Sequence, residues 1–262
     1  MNAFCLGSSS SGNCFILELE VKDKSIPIMV ECGFSYKEIL TKCNMNNILI
    51  SNIRTCLITH SHNDHCKAAT DLLKRGFKIY CSKETAKEIS KDCDPLVINT
   101  STKIEDGIFV IPFLVNHDIS GACGFIIKTA KETILFINDC KSWGANLSEF
   151  KFDYVFIECN YDHEVVYAQY HELKNIIHQN GIEQSTFMES VQKLKQHERN
   201  INSHMSLSGT IKNLAKLNLS NCKSIFLMHL SDRFANEYKM KNAVQNSTKI
   251  KTFVCKKNGG IK

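Results

Sequence analysis

Short apolar runs, each closed by glycine or a polar cluster, recur along the chain, and their lengths separate strands from helices. Ala3 to Leu6 and Cys14 to Glu20 read as strands joined through Gly7-Ser8-Ser9-Ser10-Ser11-Gly12-Asn13, and Ile26 to Glu31 as a further buried strand. Ser35 is placed to cap a helix reaching about Cys43. The apolar run Cys56-Leu57-Ile58 passes into a polar segment, followed by an amphipathic helix from Cys66 to Arg75, a strand from Phe77 to Cys81 and a helix from Ser82 to about Lys91. Strands are expected at Gly107 to Val115, Ala122 to Lys128, Thr133 to Asn138, Asp153 to Glu158, Ser224 to Met228 and Thr252 to Cys255. From His163 to about Asn200 the period turns helical, with Val166, Tyr170, Leu173, Ile176 and Ile177 on one face, and Leu207 to Leu217 reads as another amphipathic helix. Alternating strands and helices predict an α/β fold. No linker, repeat or low-complexity block interrupts them, so one domain over 1–262 is expected, with a helical insertion at about 163–201.

Composition narrows the class. At 262 residues and 43% apolar the chain can bury a sizeable core. It has no basic, then apolar, amino-terminal signal and no apolar stretch long enough for a bilayer, so a soluble, cytoplasmic protein without a membrane partner is expected. The 13 cysteines are scattered without a CxxC pair and read as reduced core residues. A net charge of +5 is compatible with a polyanionic substrate, but a mild lysine excess is as a rule a solvated surface.

The densest chemistry is Thr59-His60-Ser61-His62-Asn63-Asp64-His65, directly after an apolar run. In an extended exit from a strand, residues two apart point the same way, so His60 and His62 can grip one ion. Asp64 and His65 open the next helix and can face a second. A polar loop with chance histidines is the plain alternative, but this pattern should arise in roughly one random chain in ten thousand of this length. His117 and Asp139 stand at two further strand ends, where a lone histidine or aspartate would be unremarkable; a first ion held by His60 and His62 still needs a third histidine and a bridging carboxylate. Glu31 can orient a ligand histidine or be a solvated edge residue. The Gly/Ser segment is first a hairpin connection, and its backbone amides and hydroxyls can also hold an anion, which makes Ser9, Ser10, Ser11 and Asn13 candidate substrate contacts. His163, His171, His178 and His197 read as surface or packing residues.

Gly7 to Asn13, Glu31-Cys32-Gly33, the HxHxDH run from His60 to His65, His117-Asp118, Asp139 and Met228-His229-Leu230-Ser231 occur in the order found in metallo-β-lactamase-fold hydrolases, which the whole chain resembles. More narrowly it is similar to the stand-alone YycJ-type, or WalJ-like, branch, through its GSxSSGN-like opening, Glu158-Cys159-Asn160-Tyr161-Asp162 and the segment after Met228. The resemblance implies an αββα sandwich of two mixed sheets flanked by helices, with two divalent ions, zinc or manganese, at one edge. The first ion would take His60, His62 and His117, and the second Asp64, His65 and His229, with Asp139 bridging. His204 falls where the branch has a histidine before a Leu-Ser or Met-Ser pair. Three departures stand out: Glu31 in place of aspartate, Asn138-Asp139-Cys140 in place of a Thr-Asp-Thr-like segment, and a longer helical stretch before Ile201, open to reading as a homodimer contact or a substrate wall.

The expected reaction is phosphodiester hydrolysis by a hydroxide bridging the two ions, with Asp64 among the catalytic residues and His204 as the acid that protonates the leaving oxygen and contacts the substrate. Nucleic acid is the leading substrate. Small or cyclic nucleotides, as for phage anti-Pycsar enzymes of this fold, form a second reading. A thioester, lactone or lactam hydrolase is a third, since the fold does not settle the substrate. A non-enzymatic binding module is disfavoured by so complete a ligand set.

Overall fold

Residues 1–178 and 183–262 are described by a computed structural model. The first sheet orders β1 (Asn2–Ser9), β2 (Gly12–Val21), β3 (Lys24–Val30), β4 (Thr55–Leu57), β5 (Lys78–Ser82) and β6 (Asp94–Leu96). Its β1–β3 pairs are antiparallel and its β3–β6 pairs parallel. The second sheet contains β7 (Thr102–Glu105), β8 (Ile108–Asn116), β9 (Cys123–Lys128), β10 (Thr133–Ile137), β11 (Ser142–Trp143), β12 (Tyr154–Glu158), β13 (Ser224–Met228) and β14 (Thr252–Val254). Its spatial order is β11-β8-β9-β10-β12-β13-β14, with β7 also on β8 and the run β10-β12-β13-β14 parallel.

Period-2 alternation assigns each strand face to one layer. Phe15, Leu17, Val110, Phe125, Phe136, Phe156 and Phe226 meet between the sheets, where Phe15 sits edge-on to Phe136 at 5.4 Å and Phe156 stacks on Phe226 at 4.3 Å. The opposite face of the first sheet, with Ile16, Met29, Cys56 and Ile79, packs on α1 (Tyr36–Met45), α3 (Ala69–Leu73) and α4 (Lys83–Ile89). Leu135, Ile157, Ile225 and Leu227 of the second sheet cover α7 (Leu207–Leu214) and α8 (Glu237–Thr248). Two mixed sheets flanked by helices result, the αββα sandwich the resemblance implies.

The local differences from expectation have physical causes. The helix expected from Cys66 to Arg75 is two pieces, α2 (Asn63–Cys66) and α3, because the chain there pairs with Cys32: Cys32 N–H donates to the His65 carbonyl at 2.7 Å and Ala68 N–H to the Cys32 carbonyl at 2.9 Å. The Gly/Ser segment is mostly strand, with β1 continuing to Ser9 and only Ser10-Ser11 left as the turn. Ser35 caps α1 in a reciprocal capping box with Glu38, and Ser82 caps α4. The stretch read as helical before Ile201 contains α5 (His163–Ile177) and α6 (Gln184–Ser203), and residues 179–182 of that reading lie outside the described ones. α8 escapes the sequence pattern because only Met240 and Val244 of it are buried. No disulfide joins the cysteines, nearly all of which are buried. No described helix is long and apolar enough to cross a membrane.

Candidate active site

The parallel strands β3, β4, β10, β12 and β13 all discharge toward one edge, where open α/β sheets place their ligands. Glu31 follows β3, His60 and His62 follow β4, Asp139 follows β10, Glu158 ends β12 and His229 follows β13. Glu31, Asp139 and His229 take left-handed backbone, with φ of 63°, 41° and 54°. Such a conformation costs on the order of 1–3 kcal/mol per residue and persists where the surroundings impose it. Here it occurs at three strand exits that deliver a carboxylate or an imidazole to the same edge.

His60, His62 and His117 form the first cluster. His62 Nδ1 lies 3.0 Å from His60 Nε2 and 3.3 Å from His117 Nε2. Ligand nitrogens about 2.0–2.1 Å from a tetrahedral ion would be about 3.3 Å apart, so the spacing suits one. Two of the remaining ring nitrogens are occupied behind the cluster. His117 Nδ1 faces the Ser203 carbonyl at 3.0 Å, and His60 Nδ1 faces Thr59 Oγ1 at 2.9 Å while that hydroxyl donates to Glu31 Oε1. Donation by both Nδ1–H groups leaves the Nε2 lone pairs turned inward. Burial, reinforced by the neighbouring His65, holds His60 well below its ordinary pKa and therefore neutral, the state in which imidazole binds metal.

Asp64, His65, Asp139 and His229 form the second cluster. His65 Nε2 is 3.4 Å from both Asp64 Oδ2 and Asp139 Oδ2, and Asp139 Oδ2 is also 3.9 Å from His117 Nε2 of the first cluster. One carboxylate oxygen thus stands between the two sets. Asp139 Oδ1 and His229 Nε2 are buried without a hydrogen-bond partner, as expected of atoms built to face an ion. Burial alone would raise the Asp139 carboxyl, but the imidazoles of His229 and His65 hold it well below the usual range. His229 is driven the other way: burial opposes its charge, yet Asp139 and Asp64 push it up to about 10. Imidazole and carboxylate donors without thiolate fit a pair of zinc or manganese ions.

Residues behind the clusters hold them in place. Glu31 is fully buried, 3.1 Å from His65 Nδ1 though not aligned for a hydrogen bond, so of its two readings the solvated edge is the one the structure does not support. Asn13, expected at the substrate, is instead buried: its amide donates to the Ser9 and Asp64 carbonyls and faces His65 Nε2 at 3.2 Å. Ser11 lies on the exposed turn, its backbone N–H donating to Ser9 Oγ, and is not among the residues lining the cleft. Ser9 and Ser10 remain beside the cleft. Two further side chains, which entered the sequence reading only within the segment that carries the branch resemblance, belong to the site. Glu158 lies 2.6 Å from His204 Nδ1 and 3.5 Å from His229 Nδ1, and Asn160 donates to the His229 carbonyl at 2.8 Å. Their signal was positional: a carboxylate closing an apolar strand run.

The cleft over the clusters, about 320 Å³, is lined by Ser10, His62, Asn63, Asp64, His117, Asp139, His204 and His229, with Gln196, Arg199 and Asn200 of α6 above them. A second lobe of about 260 Å³ continues past Ser9 and Asn160 to Ser231 and Arg233. His204 is fixed by Glu158 through Nδ1, which leaves Nε2 for the cleft; burial would lower its pKa, but Glu158 raises it. His197 packs inside, with Nε2 3.2 Å from Gln169 Oε1, and His163 sits against Tyr167, both outside the clusters.

A family model described as the beta-lactamase superfamily domain matches residues 28–230, which hold every residue of both clusters. The chain belongs to the beta-lactamase superfamily. Among solved structures of the superfamily's fold, the metallo-beta-lactamase fold protein YhfI from Bacillus subtilis superposes with a TM-score of 0.66 at 14% identity, covering 99% of this chain and 98% of that one. Human tRNase Z, short form, gives 0.61 at 14% identity over 89% and 94% of the two chains, and zinc-bound PqqB from Methylobacterium extorquens 0.62 at 13% identity over 100% and 99%. At such identities the superfamily likeness is one of fold. No curated protein sequence matches the chain.

Proposed function

We propose that this superfamily member is a binuclear metal-dependent phosphodiesterase acting on nucleic acid. His60, His62 and His117 would hold one ion, Asp64, His65 and His229 the other, and Asp139 would join them. Bound there, zinc or manganese supplies Lewis acidity and an activated hydroxide near neutral pH. The observation that carries the reading is the His204–Glu158 pair. Glu158 raises the pKa of this imidazole and so favours its protonated form, and with Nδ1 fixed on Glu158 and 4.0 Å from Asp139 Oδ2, Nε2 is the nitrogen left for the cleft that the ring lines. Such a group donates a proton to a departing alkoxide, the difficult part of cleaving an unactivated phosphodiester. Asp64 and Asp139 set the electrostatics of the cleft floor beside His204, while Ser10 and the α6 side chains border the substrate.

The YycJ-type branch is the placement we infer within the superfamily, supported by the Gly7 to Asn13 opening and the Glu158 to Asp162 segment. A small or cyclic nucleotide is the second reading, favoured by the roof that α6 makes over a cleft near the lower end of ligand-pocket sizes of about 300–1,000 Å³. Because Gln196, Arg199 and Asn200 border the cleft, we assign α6 to a substrate wall in preference to a homodimer contact. Turnover of bis-p-nitrophenyl phosphate, cyclic mononucleotides, and single- and double-stranded DNA and RNA, measured side by side, tests the proposal. A nucleic-acid substrate should also bind with a steep salt dependence, each neutralised phosphate adding a slope of roughly −0.7 to −0.9 in log K against log salt. Fast turnover of a cyclic mononucleotide with a flat salt response would reverse the two readings, and cleavage of thioesters or lactones alone would reject both.

A further inference from the structure

One positive side chain in the cleft has no part in holding the clusters. Arg199 lies on α6 with Gln196 three residues before it, Asn200 beside it and Ser203 four residues after, a spacing that puts Gln196, Arg199 and Ser203 along one face of the helix. Ser203 docks that face by its carbonyl against His117 Nδ1. Among the described residues, Arg199 is the single lysine or arginine lining the metal lobe.

Its tether is specific. Arg199 Nε donates to Asp118 Oδ2 at 3.1 Å, while the other oxygen, Asp118 Oδ1, lies 3.0 Å from His117 Nε2 and 3.6 Å from His62 Nε2. The guanidinium is therefore held one carboxylate away from two residues of the first cluster. Its side-chain hydrogen bond among the described residues is made by Nε, which leaves both terminal nitrogens unengaged on an exposed side chain that borders the cleft. An exposed ion pair of this kind contributes little to stability. What it does accomplish is to fix a planar, five-donor cation at the border of the cleft, and such a fork grips two phosphate oxygens together.

We propose that Arg199 is a phosphate clamp, presented by α6 to the oxygens of the scissile phosphate or of its immediate neighbour. This rests on the phosphodiesterase reading for its substrate but not for its test. With Nε kept on Asp118, the two terminal nitrogens are free to bind one phosphate bidentately, on a group that ions held by the two clusters would also contact. Gln196 is drawn away from this role by Arg233, whose Nη1 donates to Gln196 Oε1 at 3.2 Å.

The test uses the full chain loaded with zinc or manganese, with inorganic phosphate as the probe, titrated calorimetrically into wild type, Arg199→Ala and Arg199→Lys. Metal content is measured for each, as is the melting temperature. Arg199→Ala should keep its metal and its fold and bind phosphate at least tenfold more weakly. Arg199→Lys should recover only part, because an ammonium restores charge without the fork. Ethylguanidinium added to Arg199→Ala should restore phosphate affinity, which a purely structural role would not permit. Phosphate affinity within twofold of wild type in Arg199→Ala overturns the clamp, and so does loss of metal, which would make the residue a brace for Asp118. If wild type cleaves no phosphodiester yet loses phosphate on Arg199→Ala, the clamp stands and the hydrolase reading falls.

Discussion

Glu158 Oε1 and His204 Nδ1 stand 2.6 Å apart across 46 residues of sequence that include both α5 and α6. The other oxygen of Glu158 accepts from Cys140 N–H at 2.7 Å and Met205 N–H at 3.2 Å, so the carboxylate is immobilised before it meets the imidazole. Two consequences for activity follow from that arrangement.

His204→Ala should leave metal content intact and lower turnover of diesters with poor leaving groups by about a hundredfold or more, the usual scale of general acid catalysis. Activated p-nitrophenyl diesters should lose much less, since p-nitrophenolate departs unprotonated. Glu158→Gln should act through pKa: His204 works as the protonated form, Glu158 raises its pKa, and removing that charge should move the alkaline limb of the pH–rate profile to lower pH. An unmoved limb would separate Glu158 from the acid.

Asp139 lies within 4 Å of ligand atoms from both clusters. Asp139→Ala should accordingly lose both ions, and His229→Ala mainly one, as read by elemental analysis of the purified variants. Two ions retained in Asp139→Ala would remove the bridging role.

The metal-free chain should show an unusual alkaline instability. His229, raised from 6.5 to about 10, contributes stability that is fully present below its unfolded value and is lost as pH climbs through the folded one. Melting temperature in a chelator should fall between about pH 6.5 and 10. Saturating zinc should flatten that slope, because the ion takes the proton's place among the carboxylates. A chelated protein with a level profile over this window would contradict the assignment.

Gly33 packs against α2, the short helix that carries Asp64 and His65 of the second cluster. A Cβ there would fall 1.7 Å from the Asp64 carbonyl oxygen and 2.8 Å from the Asn13 nitrogen, both backbone atoms. Gly33→Ala should lower stability by about 2 kcal/mol or more and reduce metal content through displacement of Asp64. Gly144→Ala, with nothing within 4 Å of the added carbon, serves as the neutral comparison in the same melting and metal assays.

What the chain's own order of residues determined is what depends on neighbours. The alternation in Phe15, Leu17 and Leu19, the cap at Ser35 and the grouping of His60, His62, Asp64 and His65 all act over a few residues, where periodicity and spacing are direct geometry. His117 and Asp139 could be nominated only as strand-end residues that the cluster still needed, and His229 only by resemblance, because their approach depends on the order and register of β8, β10 and β13 and on left-handed turns that no local pattern announces. The tertiary structure also decided between roles that sequence left equal. It buried Asn13 behind the ligands by continuing β1 into the Gly/Ser segment, broke the helix after His65 by pairing it with Cys32, and laid α6 across the cleft so that Arg199 met Asp118. Those outcomes are contacts between distant segments, set by how the two sheets stack and where the helices find room against them, and a one-dimensional pattern holds no term for them.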